Sequence, residues 1–390
     1  MLAFSLILWR MRAILLLTLV VCLAGPLVAQ ENVSFEGRPA VRLVNDKLQL
    51  TVLPEGGAMI QLGFVGDPES ANPLWNPIRL ARDAGLKPPT SFSRGHFVCV
   101  DGFGPVSREE QAAGLPMHGE AQALPWTLDS YQSQAGGASA QFSVRLPLAQ
   151  EVLTRTYRVV AGENVVWVDS ELENLLSFDR PVFWGEHATI GAPFLEPGKV
   201  AIDMPVQKAR TKAYEMTAAR QLPPSTDFTW PMAPTRDGKV LDMRSAPLKP
   251  GELEHLTSLL DTSRRLGFVT ALHGEKKLLI GWVFRREEYP WVQTWLSYPA
   301  ENRMVRGMEF ATQPFDFPRA DVLRSGPLFD TPVFRILPAK SKIASSFLMF
   351  YTRVPDGFQK VDDVRLEGGK LTIEDRGAKK SITLAASRPL

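Results

Sequence analysis

Apolar and polar residues alternate in short runs along most of the chain. KLQLTVL (47–53), QFSVRLPL (141–148), EVLTRTYRVV (151–160), NVVWVDSELEN (164–174), LLIGWVF (278–284), PVFRILP (332–338), SSFLMFYTRV (345–354) and GKLTIED (369–375) follow a period of two and are rich in β-branched and aromatic residues. That period sends neighbouring side chains to opposite faces of an extended chain, so each run predicts a strand. Helical spacing is scarce. SREEQAAGL (107–115) and ELEHLTSLLDTS (252–263) are the better candidates, and each predicts a short helix. The 31 prolines and 29 glycines fall mostly between the alternating runs, where turns belong. The expected fold class is all-β and mostly antiparallel. A seven-stranded sandwich needs only about 100 residues, and no linker or low-complexity segment divides this chain of 390. One large antiparallel β-sandwich is therefore expected over residues 31–390. The Pro-rich stretch from Pro205 to Pro250 is expected to be irregular.

The amino terminus changes the picture of where such a protein works. Residues 1–30 contain no acid, and MRAILLLTLVVCLAGPLVAQ has a basic start, an apolar run and small residues near Ala29. This is the pattern of a cleaved signal peptide over 1–30, and it predicts export to the periplasm or the outside. The apolar run is shorter than the ~20 residues that span a bilayer, so no membrane association is expected after cleavage. Removing Arg10 and Arg12 from the 44 Lys and Arg leaves them equal in number to the 42 Asp and Glu. A neutral chain has no broad electrostatic attraction to nucleic acid. Of the two cysteines only Cys99 lies beyond the signal, so no internal disulfide can form. Stability has to come from burial, which nine Trp, 21 Phe and a 45% hydrophobic content can supply.

Four segments carry polar residues in unusual settings. SFSRGHFVCVDGFGP (91–105) places Arg94 ahead of an apolar run, and GLPMHGEAQALPW (114–126) sets His118, Glu120 and Trp126 among glycine and proline. PVFWGEHATIGAPFL (181–195) puts Glu186 and His187 at the end of an aromatic run, and NRMVRGMEFATQPFDFP (302–318) holds Glu309 between apolar neighbours, with Gln313 close behind. Taken singly, each has an ordinary structural reading. A histidine beside glycine can be a turn residue, and Arg94 can be a surface charge. Glu309 is expected to be partly buried, and buried carboxylates need partners or a raised pKa. Glycine after His118 would allow a tight turn and close approach of a ligand, while Trp126 could either line a cleft or fill the core beneath it. His255 and His273 are read as structural.

In their order along the chain, these segments resemble the galactose mutarotase-like family, the aldose 1-epimerases and hexose-phosphate mutarotases. The resemblance rests on the Arg-Gly, Phe-Gly, His-Gly and Trp features of the first two segments, on GEH after the turn in ELENLL, and on the acid of MEFATQPFD; it runs in patches over residues 38–355. It implies a β-supersandwich that interconverts sugar anomers by ring opening. Glu309 would then be the general base at the anomeric hydroxyl and His187 the general acid at the ring oxygen. Arg94 and His118 would orient the sugar, with Glu120, Trp126 and Gln313 as further substrate-binding residues. One group must take a proton while another gives one, and a carboxylate and an imidazole in different environments can do both. No metal and no organic cofactor is implied, and the partner is a carbohydrate, either an aldose or an oligosaccharide end.

This chain also departs from the family pattern. Glu120 and Gln122 follow the His-Gly pair where the family has phenylalanine and often arginine, which argues against phosphate recognition. No residue stands out for the aspartate that holds a substrate hydroxyl in many relatives, and Asp101 and Asp316 are the candidates. Alternatives are a non-catalytic carbohydrate-binding protein, a glycoside hydrolase or lyase on the same scaffold, and a metal site built from His118, Glu120, Glu186 and His187, whose spacing matches no established zinc signature.

Overall fold

The computed structural model describes residues 32–67, 70–245, 248–299 and 303–390. The expected signal segment lies outside them. About 49% of the chain is strand and 5% helix, and every alternating run named above overlaps a strand. Glu151–Val159 shows why: its residues alternate strictly between buried and half-buried.

Two large sheets carry the fold. An eleven-stranded sheet begins with Asn32–Phe35 at one edge and passes through Ala58–Phe64, His96–Val100, Trp184–Gly191, Val305–Ala311, Trp291–Tyr298, Glu252–Leu260 and Val206–Thr211 to Asp227–Thr229 at the other. An eight-stranded sheet packs against its inner face. Leu50, Val52, Val98, Trp184, Met308 and Phe310 of the first meet Phe142, Leu153, Tyr157, Ile280 and Met349 of the second in one apolar core. The strand pairs of both sheets are antiparallel. A third layer, formed by Asp363–Glu367, Lys370–Asp375 and Lys380–Ala385, covers the far face of the eight-stranded sheet. Leu278–Arg285 is thus buried on both faces, so the period of two expected for LLIGWVF does not resolve into one covered and one exposed face.

The two predicted helices have different outcomes. Residues 108–112 form a helix, started by a capping box in which Ser107 and Glu110 satisfy each other's backbone N–H groups. ELEHLTSLL is instead the strand Glu252–Leu260, held between Trp291–Tyr298 and Val206–Thr211. Its leucines mimic a helical stripe only because Thr257 and Ser258 are themselves fully buried, so no polar face exists. The Pro-rich stretch is also more regular than expected, since it contributes Val206–Thr211, Asp227–Thr229 and the Met232–Pro234/Val240–Asp242 pair.

Candidate functional site

Alternation along Trp184–Gly191 divides its chemistry between two faces. Trp184, Glu186, Ala188 and Ile190 turn inward to the core between the sheets, and His187 turns outward. Register then assembles a group on the outer face. Phe97 lies opposite His187, and Gln293 lies opposite Glu309. His187 Nε2 stands 3.2 Å from Glu309 Oε1, with the two side chains only 6% and 2% exposed. Phe97 stacks on the imidazole at 4.2 Å, and the rings of His118 and Trp295 approach it edge-on at 5.1 and 6.3 Å. Gly307 leaves room for the carboxylate, because a Cβ there would sit 2.2 Å from Glu309 Oε1.

Hydrogen bonds fix which nitrogens carry protons. Thr189 Oγ1 donates to the His187 carbonyl and lies 2.8 Å from His187 Nδ1, so Nδ1 is the donor to Thr189 and Nε2 is left facing Glu309. His118 Nδ1 accepts from Gly104 N–H at 3.1 Å, which leaves Nε2 as the protonated nitrogen. Burial favours neutral forms throughout. It lowers His187 well below the usual imidazole range, helped by the neighbouring His118, and it lowers His118 to about 4. It raises Glu309 well above the carboxylate range, and Asp316 adds to this. The His187–Glu309 pair therefore holds one proton near neutral pH, on the carboxyl. Burial, with the nearby Glu309, also raises Cys99, whose Sγ is 3.7 Å from His118 Nδ1 and stays a thiol.

A second polar cluster extends the first across the sheet. His255 Nδ1 is 3.3 Å from Asp316 Oδ1, and Lys212 Nζ is 2.5 Å from the same oxygen. His255 Nε2 meets Gln293 Oε1 at 3.1 Å, and Gln293 Nε2 donates to the Gln313 carbonyl. Reading LEHLTSL as a helix concealed His255 as a candidate; as an alternating strand it would have placed His255 and Thr257 on one face. Gln313 lies beside these groups, fully buried, with Nε2 unpartnered.

Other sequence candidates lie elsewhere. Arg94 is fully buried, donates to the Ser91 carbonyl and sits 3.5 Å from Glu55, and burial lowers it to about 10. Neither the His187–Glu309 pair nor His118 is among its contacts; its Nε makes no hydrogen bond, and its Nη1 faces the Glu55 carboxylate. Glu120 turns away from His118 and accepts from the Leu148 and Ala149 backbone N–H groups at 2.8–3.0 Å. Trp126 takes the core alternative: it is 4% exposed, packs against Gly57, and donates Nε1–H to the Ala121 carbonyl. Asp101 is engaged by Arg180 and Phe183 N–H. Gly119 serves a different approach from the one expected. A Cβ there would stand 2.3 Å from the Val100 carbonyl, so the glycine admits the backbone of Val100 and Gly102 rather than a ligand. Glu186 and His187, as strand neighbours on opposite faces, cannot converge on one metal ion. Glu120→Ala should lower unfolding free energy by about 1–3 kcal/mol, because it strands buried backbone donors; urea denaturation would measure this, and an unchanged midpoint would show that water replaces the carboxylate.

No protein-family model and no curated protein sequence matches the chain. Solved structures do. A galactose mutarotase-like protein from Clostridium acetobutylicum superposes with a TM-score of 0.57 at 12% identity, over 83% of this chain and 97% of the other. A galactose mutarotase related enzyme from Lactobacillus acidophilus gives 0.54 at 13%, over 81% and 98%. A galactose mutarotase-like protein from Lactobacillus casei gives 0.52 at 13%, over 80% and 100%. The fold is that of the galactose mutarotase-like proteins.

Proposed function

We propose that this protein, on its mutarotase-like fold, interconverts the anomers of an aldose or of an oligosaccharide's reducing end. The observation that carries the reading is the buried His187–Glu309 pair, which holds one proton and is flanked by the Nε2–H of His118. Ring opening needs one donor and one acceptor at the same moment.

The proton first passes within the pair, giving a Glu309 carboxylate and a His187 imidazolium. Burial destabilises both charged forms, so the carboxylate is a more avid base and the imidazolium a stronger acid than either would be in water. Glu309 takes the anomeric hydroxyl proton while His187 gives its Nε2 proton to the ring oxygen. The C1–O5 bond breaks with its electrons going to O5, and C1 becomes an aldehyde carbon. After rotation about C1–C2 the steps reverse on the other face, returning each proton. We assign orientation of the sugar to His118 and Gln313, each of which has a donor nitrogen left over; Arg94, held at Ser91 and Glu55, is not among them. With the N-terminal segment acting as a signal, this reaction would serve sugars outside the cytoplasm.

Freshly dissolved α-glucose and α-galactose should equilibrate faster with the protein than without it, by polarimetry or NMR. Equal rates would remove the reading in favour of a carbohydrate binder without turnover. The pH profile should be broad and bell-shaped. Below the depressed His187 pKa a second proton enters and no base is left; above the elevated Glu309 pKa the shared proton leaves and no acid is left. A rate that rises steadily from pH 5 to 9 would contradict a one-proton pair.

A further inference from the structure

Register carries the outer-face row beyond the site. Glu309 pairs with Gln293, Gln293 with Thr257, and Thr257 with Arg210, so the four share one face. Lys208 and Lys212 flank Arg210 at the same period of two on the Val206–Thr211 strand and its continuation. The three cations descend from the rim toward His255: Lys208 is exposed, while Arg210 and Lys212 are half-buried.

Their heads are held in place by aromatic rings. Lys208 and Arg210 lie 5.7 and 5.2 Å from the centre of Phe329, and Lys212 lies 5.1 Å from that of Phe317. Asp227 pairs with Arg210 and Asp316 with Lys212, but among the described residues Lys208 has no carboxylate partner. A cavity of about 210 Å³ opens beside this row, lined by Arg210, Thr211, Ser225, Phe315, Phe317 and Leu328. Phe315 meets His255 edge-on at 6.5 Å, which joins the cavity to the site.

We propose that Lys208, Arg210 and the adjoining cavity form a subsite for an acidic sugar unit, so that the substrate is the reducing end of an anionic oligosaccharide. The inference rests on the anomer-converting reading and extends it. Charge decides the ligand class: Phe329 and Phe317 already carry cations, and with Asp227 and Asp316 set against Arg210 and Lys212 the row has one positive charge to spare, on Lys208. Distance decides the length. Three strand spacings of about 4.8 Å separate Glu309 from Arg210, or about 14 Å. That is farther than a single pyranose reaches, so the acidic group belongs to a later unit of a chain whose first ring sits at His187 and Glu309.

The test titrates the full-length protein with trigalacturonate, galacturonate and maltotriose by calorimetry, and follows anomer exchange of each by NMR. The acidic trimer should bind at least about tenfold more tightly than either control, and the advantage should shrink as salt rises from about 20 to 200 mM, as screening requires. Lys208→Gln combined with Arg210→Gln should remove the preference. Equal affinity for the acidic and neutral trimers, no binding of any, or a preference that survives the double substitution would overturn the subsite. Binding of the acidic trimer without anomer exchange would support the subsite while overturning the catalytic reading; exchange of monosaccharides without a trimer preference would do the reverse.

Discussion

Glu309→Gln is expected to lower the anomerisation rate by about 10²–10⁴-fold, the usual contribution of a positioned proton acceptor. The amide keeps the volume of the carboxylic acid in a space that Gly307 makes available, and it cannot take a proton from the anomeric hydroxyl. NMR exchange of α- and β-galactose measures the loss, and a variant with the wild-type rate would sink the proposed mechanism. Stability supplies an independent readout. Burial raises the folded-state pKa of Glu309, so its stabilising contribution is complete below the ordinary carboxyl value of about 4.3 and is lost as pH rises through the raised value. Glutamine removes that loss. The variant should therefore match or fall slightly below the wild type near pH 5 and exceed it near pH 9 in thermal unfolding.

The largest effect on stability is expected from Glu186→Ala. Behind His187, on the inner face, Glu186 accepts from Arg155, from His96 Nε2 at 3.0 Å and from Trp184 Nε1 at 3.0 Å, and Trp282 Nε1 donates to His96 Nδ1. All of these residues are fully buried. Burial by itself would raise the Glu186 pKa, but Arg155 and His96 outweigh it and hold the carboxylate low. Removing one partner of such a pair leaves an uncompensated charge and costs about 3–5 kcal/mol. The double variant Glu186→Leu, Arg155→Met should recover most of this, since an apolar replacement removes both charges together. Urea unfolding of the single and double variants distinguishes the cases; a loss below about 1 kcal/mol for Glu186→Ala would mean that Arg155 escapes to solvent.

Much of this architecture was legible in the sequence, for a physical reason. Strands with one covered face must alternate, as Gly137–Leu146 and Glu151–Val159 do, whereas Val165–Val168 are all buried because the third layer covers their other face. The reading fails where burial is two-sided, because leucines at 253, 256 and 259 mark a face only if the other residues are exposed, and Thr257 and Ser258 are not. His187 and Glu309 could be singled out because polar groups inside apolar runs need partners. That they would meet depended on the register of Trp184–Gly191 against Val305–Ala311, which no local pattern encodes. Glu120 and Trp126 shared the unusual segment of His118, yet they serve the turn and the core. A short segment crossing from one layer to another spends its side chains in several directions, and sequence order does not record which.

The third layer has a consequence for how the molecule is made. Trp167, Phe268, Leu279 and Phe350 pack in one cluster with Phe358, Val361, Val364, Leu371 and Ile373, and Leu390 is itself buried, with Arg265 donating to its carbonyl. The back of the eight-stranded sheet therefore stays uncovered during synthesis until the three strands from Asp363 to Ala385 have followed the strands they pack against.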